Sequence, residues 1–335
     1  MPDYAGAVRH GALAAARLHR DLGTEEVVTR VGGGIDIFAV VAKLRVPLLL
    51  RPLNGLLGAF LSDPTPGILV TTERPLSVQR FTCAHELGHC NLRHQPSLDD
   101  DSILRRSPFN SRPGYDVQEV EADSFAVAFM TPRWLIASHC KRQGWTTNNL
   151  QQPDIVYQLS LRLGASYEAT CWTLLRYKLL APDVAQRHAA IQPRQFKQAL
   201  LGSYRPENFR GDVWLLTDGD EGTVITGSKT DLFVLRLPEH SGGGYLWDIE
   251  QLKEAAFAVV RDEHEAVDTD GVGSHSTRRL TVESRDRQTG ELHLIERRPW
   301  QPAKAISTFA FAYDLSGPEV EGYSRAERRQ LLEAA

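Results

Sequence analysis

The sequence has few cysteines and no long run of apolar residues. Its 335 residues include only four cysteines, and no two of them have a C-x-x-C spacing. This usage favours a reducing compartment over a disulfide framework. The longest apolar stretch, residues 35–50, is interrupted by Asp36, Lys43 and Arg45. It is therefore shorter than the ~20 uninterrupted apolar residues that a membrane span needs.

A secretory signal is also missing from the first residues. Positions 1–23 carry histidine, arginine and aspartate where a signal peptide has an unbroken apolar core. Together with the cysteine usage, this predicts a cytoplasmic protein without a membrane segment. Hydrophobic residues make up 42% of the chain and charged residues 24%, which is the composition of a folded globular protein.

Charge is distributed unevenly along the chain, although the net charge is only −4. Residues 1–205 contain 23 Lys and Arg against 18 Asp and Glu, whereas residues 206–335 contain 15 against 24. The two parts therefore carry charges of +5 and −9. This asymmetry would allow the C-terminal part to dock on the N-terminal part. The alternative is that the charges only keep the surface soluble.

Hydrophobic periodicity separates two kinds of structure. The first 200 residues have mainly helical periodicity, with short strand-like runs between residues 48 and 72, and the helices near residues 155–180 are joined by a turn at Gly164. From about residue 206, short alternating runs separated by turn residues are typical of a β-sandwich. The pattern predicts an α+β chain: a mainly helical domain with a short β-sheet, a helical segment, and an all-β sandwich.

The chemistry is carried by residues 85–89, which read His-Glu-Leu-Gly-His inside a helical segment. Four residues turn a helix by about 400°, so His85 and His89 share one face and can bind one zinc ion. Glu86 lies about 100° around the helix, within reach of a water on that ion. Zinc would lower the pKa of this water toward ~7 and polarise a peptide carbonyl, while Glu86 takes the proton. The motif predicts hydrolysis of amide bonds.

A catalytic zinc site of this kind needs a third protein ligand. The metzincin extension would place glycine and histidine where Leu92 and Gln95 stand, so it does not apply. A later helix offers Glu119 as the ligand. Asp123, one turn on, would accept a hydrogen bond from a liganding histidine. The alternative is that these acids form the solvated side of an amphipathic helix, which is what we expect for Glu121.

Four other residues near the motif have less specific interpretations. Tyr115 is a candidate donor to the oxyanion formed during hydrolysis. His94 lies either on the surface or near the site. Cys83 and Cys90 point to other faces of the helix than the histidines, so we expect them to pack rather than to bind metal.

The motif and its surroundings resemble a known family. The segment FTCAHELGH, preceded by GAFLSDPTPGILVTT and followed by EVEADSFAVAFMTP, resembles the ImmA/IrrE zinc metallopeptidases over about residues 30–200. The resemblance implies cleavage of helix-turn-helix transcriptional repressors, hence transcription regulation in a stress response. The helices at 155–180 are similar to the helix-turn-helix-like segment of this family. They offer only Arg162, Arg176 and Lys178 as cations, so we do not expect direct DNA binding.

The C-terminal part resembles the chagasin-type inhibitors of papain-like cysteine peptidases over about residues 212–316. The segments that carry the resemblance are Gly-Tyr-Leu-Trp at 244–247, Gly-Val-Gly-Ser-His at 271–275 and Arg-Arg-Pro-Trp at 297–300. It implies an immunoglobulin-like sandwich that inserts three loops into a protease cleft. The candidate partner-binding residues are Tyr245, Trp247, Arg298 and Trp300. The alternative is that the three aromatic residues pack in the sandwich, whereas an Arg298–Trp300 cation–π pair would anchor an interface.

We therefore predict four parts: a zinc metallopeptidase domain at 1–140, a helical segment at 141–205, a chagasin-like sandwich at 206–320, and a short helix or tail at 321–335. The leading hypothesis is a zinc endopeptidase of the HExxH-plus-Glu type. The sandwich would recognise a substrate, inhibit another protease, or cover the zinc cleft of its own chain. The alternatives are a zinc-stabilised regulatory binding protein and a cysteine-protease inhibitor carried by the zinc domain. The intact Glu86 favours the enzyme, since a structural zinc site needs no base.

Overall fold

The structure is a computed structural model that describes residues 3–63, 65–100, 115–266, 276–285 and 288–334. The segment 101–114, which follows the histidine motif, and the glycine-rich segment 271–275, which carries part of the chagasin resemblance, lie outside the described residues.

The N-terminal part is mainly helical. Its helices begin and end at recognisable caps: Asp3 accepts a hydrogen bond from the Gly6 amide at the start of the first helix, and Gly23 ends that helix in the left-handed region. The elements are α1 (Tyr4–Leu22), α2 (Thr24–Val31), α3 (Ile37–Lys43), β1 (Leu48–Arg51), β2 (Leu56–Leu61), β3 (Gly67–Thr71), α4 (Leu76–Leu92), β4 (Ser97–Asp100), α5 (Val117–Met130), α6 (Arg133–Gln143), α7 (Pro153–Leu163), α8 (Tyr167–Arg176), α9 (Pro182–Ala189) and α10 (Pro193–Leu201).

A small sheet supports the histidine helix α4. Its described strands have the order β1-β3-β2-β4, with β1 and β3 parallel and the other neighbours antiparallel. Helix α4 packs on this sheet and on α5, and the fully buried Leu87, Phe125 and Phe129 belong to the core beside them. The strand β4 lies outside residues 48–72, where the sequence predicts strands. It forms because the edge of β2 supplies backbone hydrogen-bond partners, which hydrophobic periodicity does not record.

The C-terminal part is a β-sandwich, so the predicted α+β fold class is confirmed. Within the described residues, one sheet has the order β5-β7-β10-β9 and the other β6-β12-β11-β8. Apolar side chains from both sheets, including Trp214, Phe233, Phe309 and Tyr313, form its core. The elements are β5 (Val213–Leu216), β6 (Val224–Thr226), β7 (Leu232–Glu239), β8 (Leu246–Trp247), α11 (Glu250–Glu254), β9 (Phe257–Ala266), β10 (Ser276–Ser284), β11 (Thr289–Arg298), β12 (Gln301–Asp314) and α12 (Arg325–Glu333).

The sandwich docks on the helical part through a buried ion pair. The Arg162 guanidinium on α7 donates two hydrogen bonds, of 3.0 and 2.8 Å, to the carboxylate of Asp220. Gln158, one turn earlier on α7, donates to the backbone oxygen of Val213 on β5. The docking allowed by the charge asymmetry therefore occurs. A cavity of about 450 Å³ remains between the two parts, and His85, His89 and Glu119 do not line it.

The chain after the sandwich returns to the helical part. Gly322 and Leu50 exchange two backbone hydrogen bonds, of 2.9 and 2.8 Å, which add a short antiparallel bridge beside β1. Gln79 on α4 and the backbone of Glu319 exchange two more. Helix α12 then packs on α3. The C-terminal segment is thus tied to the helix that carries the histidine motif.

The buried His139 on α6 should make stability depend on pH. Burial, reinforced by the nearby charge of Arg162, lowers the pKa of His139 from 6.5 to about 4. The unfolded chain therefore binds a proton below pH 6.5 that the folded chain does not, so stability is lost as the pH falls from 6.5 toward 4. We expect this histidine to remove about 2 kcal/mol of unfolding free energy between pH 7 and pH 5.

The measurement is urea unfolding at pH 7 and pH 5. In His139→Gln, the neutral side chain should reduce the loss of stability at pH 5, whereas the same change at the exposed His293 should not. Equal pH dependence in the wild type and His139→Gln would contradict the assignment.

Candidate metal centre

Helix α4 places the three motif side chains in the interior. His85, Glu86 and His89 are each 0% exposed. Gly88, between the histidines, allows α5 to pack closely: a Cβ atom there would lie 3.1 Å from a ring carbon of Phe125 and 3.2 Å from the Cα of Ala122. The missing side chain therefore lets the two helices approach. This approach brings the acids of α5 to the histidines.

Helix α5 begins after Asp116, whose carboxylate caps the amide of Gln118. Glu119 lies in the first turn. Its two carboxylate oxygens are 3.4 Å from Nε2 of His85 and 3.5 Å from Nε2 of His89. The two Nε2 atoms are 3.0 Å apart. The structure thus brings together the three side chains that the sequence proposed as ligands.

The spacing and chemistry of these atoms fit a divalent cation. Tetrahedral zinc with bonds of about 2.0–2.1 Å holds its nitrogen and oxygen ligands about 3.3 Å apart, close to the three separations found here. Nδ1 of His85 is 2.9 Å from the carboxylate of Asp123, an arrangement that favours a proton on Nδ1 and a lone pair on Nε2. A bound cation would satisfy imidazole lone pairs and a carboxylate that converge on one point. Among the described residues, His85, His89 and Glu119 form the group suited to a metal.

Glu86 lies on the side of α4 that faces strand β2. A Cβ atom at Gly58 would lie 2.4 Å from Oε1 of Glu86 and 2.5 Å from Cγ2 of Thr82. Glycine is therefore required where β2 crosses the helix. The backbone of β2 and the carboxylate of Glu86 lie against each other.

Gly58→Ala should displace the Glu86 carboxylate while leaving the three metal ligands in place. We expect hydrolytic activity to fall by tenfold or more and zinc content to remain unchanged, because a small shift of a general base is enough to slow proton transfer. Gly67→Ala in β3 is the matched control, since its Cβ would have no neighbour closer than 3.7 Å. Activity and zinc content of the two variants test this, and equal activities would contradict it.

Behind His89 lies a hydrogen-bonded chain that the sequence did not indicate. Nδ1 of His94 is 3.0 Å from Nδ1 of His89, and Nε2 of His94 is 2.9 Å from Glu121. The other oxygen of Glu121 is 2.9 Å from Nδ1 of His10 on α1. The expectation that Glu121 is a solvated surface acid is wrong: it is only 8% exposed, because α1 covers that side of α5. Of the two alternatives for His94, the structure shows the one near the site.

The remaining residues near the motif have structural contacts. The ring of Tyr115 packs edge-on against Tyr4, with centroids 5.4 Å apart. Within the described residues, no hydrogen bond joins Tyr115 to the metal-binding group, so its role as an oxyanion donor stays a prediction. Burial raises the pKa of the thiols of Cys83 and Cys90, as expected for cysteines that pack rather than bind metal.

The candidate partner-binding residues of the sandwich divide into two groups. Trp247 is 6% exposed, and its indole donates to the backbone oxygen of Pro238, so it packs in the core. Trp300 is 66% exposed at the turn between β11 and β12. The cation–π partner of Arg298 is Tyr245, at 4.5 Å, rather than Trp300. The indole of Trp300 lies against Gly244 instead, which joins the two loops into one tip.

The fold and the site together define a metallopeptidase-type domain joined to a domain with a protease-inhibitor fold. Residues 43–175 match the model of the IrrE N-terminal-like domain of the M78 peptidases, and residues 227–314 match the chagasin family of peptidase inhibitors I42. The resemblances stated from the sequence are therefore confirmed over these segments.

One curated relative and two solved structures are similar to parts of the chain. An uncharacterized immunity region protein 2 of Bacillus phage phi105 is 31% identical over 72 residues, which is 22% of this chain and 42% of that relative. The cysteine protease inhibitor EhICP2 of Entamoeba histolytica is 19% identical, with a TM-score of 0.28, over 32% of this chain and 99% of its own. Amebosin is 22% identical, with a TM-score of 0.23, over 31% of this chain and 96% of its own.

No helix in the described parts of the chain is both long and apolar enough to cross a lipid bilayer.

Proposed function

We propose that the protein is a zinc endopeptidase that hydrolyses peptide bonds of a protein substrate. The observation that carries the proposal is the convergence of His85, His89 and Glu119, with donor atoms 3.0–3.5 Å apart, beside the buried carboxylate of Glu86. A structural zinc site usually closes with four protein ligands and needs no base. The match to the M78 peptidase family supports the same reading.

Each residue of the site has a defined task. A bound zinc ion would supply Lewis-acid chemistry, which polarises a carbonyl and acidifies a water. Glu86 accepts the proton of the attacking water and later donates it to the leaving amine. Asp123 holds His85 in the tautomer that presents Nε2. Gly58 keeps β2 close to Glu86, which limits the positions that this carboxylate can take.

The substrate we propose is a helix-turn-helix transcriptional repressor, so the protein would act in the regulation of transcription during stress. The proposal is supported by the IrrE N-terminal-like match and by the relative from a phage immunity region. Direct binding to DNA is not part of it. Of the cations in the helical segment, Arg162 is used in the ion pair with Asp220, and Arg176 is half-buried near Asp123.

The test is incubation of the zinc-loaded full chain with a repressor encoded beside it, followed by mass spectrometry of the fragments. We expect a discrete cleavage that a zinc chelator abolishes and added zinc restores. An intact repressor after prolonged incubation would contradict the proposed substrate. Failure to cleave any unfolded protein would contradict the proposal that the protein is an endopeptidase.

A second candidate function is inhibition of a papain-like cysteine protease by the tip of the sandwich. The observation that favours it is the exposed Trp300, held against Gly244 next to the stacked Arg298 and Tyr245. Titration of papain with the full chain tests this function. Inhibition that is lost in Trp300→Ala would support it, whereas no inhibition at micromolar concentration would exclude it. Neither result tests the proposed zinc site.

A further inference from the structure

We propose that His94 and Glu121 position the zinc ligand His89. The inference rests on the proposed metal site and deepens it, because it adds two residues that the motif does not contain. The carboxylate of Glu121 orients His94, and His94 orients His89. Neither residue touches the metal or the substrate.

The hydrogen bonds define where each proton lies. A zinc ion on Nε2 of His89 leaves the proton on Nδ1, which donates to Nδ1 of His94 across 3.0 Å. The proton of His94 must then lie on Nε2, where it donates across 2.9 Å to Oε2 of Glu121. Each ring therefore has one tautomer that satisfies the chain. The buried carboxylate determines the direction of both hydrogen bonds.

The backbone aims His94 at the site. Helix α4 is capped by Arg93, which adopts a left-handed conformation with φ 57°, and the amide of His94 then donates to the carbonyl oxygen of His89. This turn brings the imidazole of His94 back along the helix to the ring of His89, with ring centroids 5.0 Å apart. His94 is only 9% exposed, so water competes weakly for its hydrogen bonds.

The two liganding histidines are thus supported differently. Nδ1 of His85 lies 2.9 Å from the carboxylate of Asp123 itself, whereas His89 reaches a carboxylate through a second imidazole. The chain of contacts from His89 through His94 and Glu121 ends at His10 on α1, whose side chain is 55% exposed. Since α1 and α5 pack along their length, the geometry of His89 is tied to the N-terminal helix as well as to α4.

The test uses metal binding rather than hydrolysis. His94→Phe keeps an aromatic ring but removes the acceptor, so we expect zinc affinity to fall 10–100-fold in competition with a chelator. The visible absorption bands of the cobalt-substituted protein should shift, because His89 changes orientation. Glu121→Gln, which keeps an acceptor but loses the charge, should have a smaller effect in the same direction.

Two further variants keep the result unambiguous. His94→Asn retains an amide oxygen near the position of Nδ1, so it should restore most of the affinity and the cobalt spectrum. His19→Phe is the matched control, since His19 is equally buried between α1 and α5 but bonds to the backbone of Phe129. If His94→Phe fails to fold, Glu121→Gln and His94→Asn carry the test.

Wild-type zinc affinity and cobalt spectrum in His94→Phe would overturn the proposal. Equal losses in His94→Phe and His19→Phe would also overturn it, because they would indicate general packing. These readouts hold whether or not a substrate is cleaved. Failure of the wild type to bind zinc would instead refute the metal site itself.

Discussion

Glu86→Gln should lower the rate of peptide hydrolysis by about 10²–10⁴ while zinc content stays at one per chain. The amide has nearly the shape of the carboxylate, so the packing against Gly58 is kept, but it cannot accept the proton of the attacking water. The measurement is single-turnover cleavage of the substrate together with metal analysis of the same sample.

Glu26→Gln on the exposed face of α2 is the control, and it should cleave at the wild-type rate. Full activity in Glu86→Gln would refute the role of Glu86 as the general base. Loss of both zinc and activity would instead assign Glu86 a part in holding the metal.

Asp220→Asn should be among the most destabilising single substitutions, at about 3–5 kcal/mol of unfolding free energy. It removes the charge that compensates Arg162, whose guanidinium is buried between the helical part and the sandwich. An unpaired buried charge costs more than the lost hydrogen bonds alone. Urea unfolding at pH 7, followed by intrinsic tryptophan fluorescence and circular dichroism, measures the change.

Asp183→Asn offers a matched comparison, because it breaks an ion pair with Arg187 that is exposed on α9. This variant should unfold at the wild-type urea concentration, since solvent screens an exposed pair. Similar midpoints for the two variants would show that the pair between Arg162 and Asp220 does not hold the sandwich in place.

Much of the metal site follows from local spacing. Two histidines four residues apart must share a helical face, so His85 and His89 meet wherever this segment is helical. The same rule relates Glu119 to Asp123 on α5. That the two helices meet was expected because a catalytic zinc site needs a third ligand, and Gly88 supplies a physical reason: without a side chain at this position, α4 can lie against Ala122 and Phe125.

The residues around the metal-binding group were harder to predict from helical spacing. Glu121 looked like a surface acid because helical spacing placed it away from Glu119, yet helix α1 covers it. Nothing in the local pattern distinguishes an acid covered by another helix from one in solvent. A histidine just after a helix end, five residues beyond His89, could have been noticed, but its direction depends on the left-handed conformation of Arg93.

The amino-acid sequence by itself determined the α+β class, the two histidines on one face of α4 and the succession of short strands in the sandwich. These features depend on caps, turns and periodicities within a few residues. Only the tertiary structure decided that Asp220 pairs with Arg162, that Gly322 returns to β1 and that Glu121 supports His94. These three contacts join residues that are 27 to 272 positions apart in the sequence. They form because the folded chain excludes water from both partners of each contact.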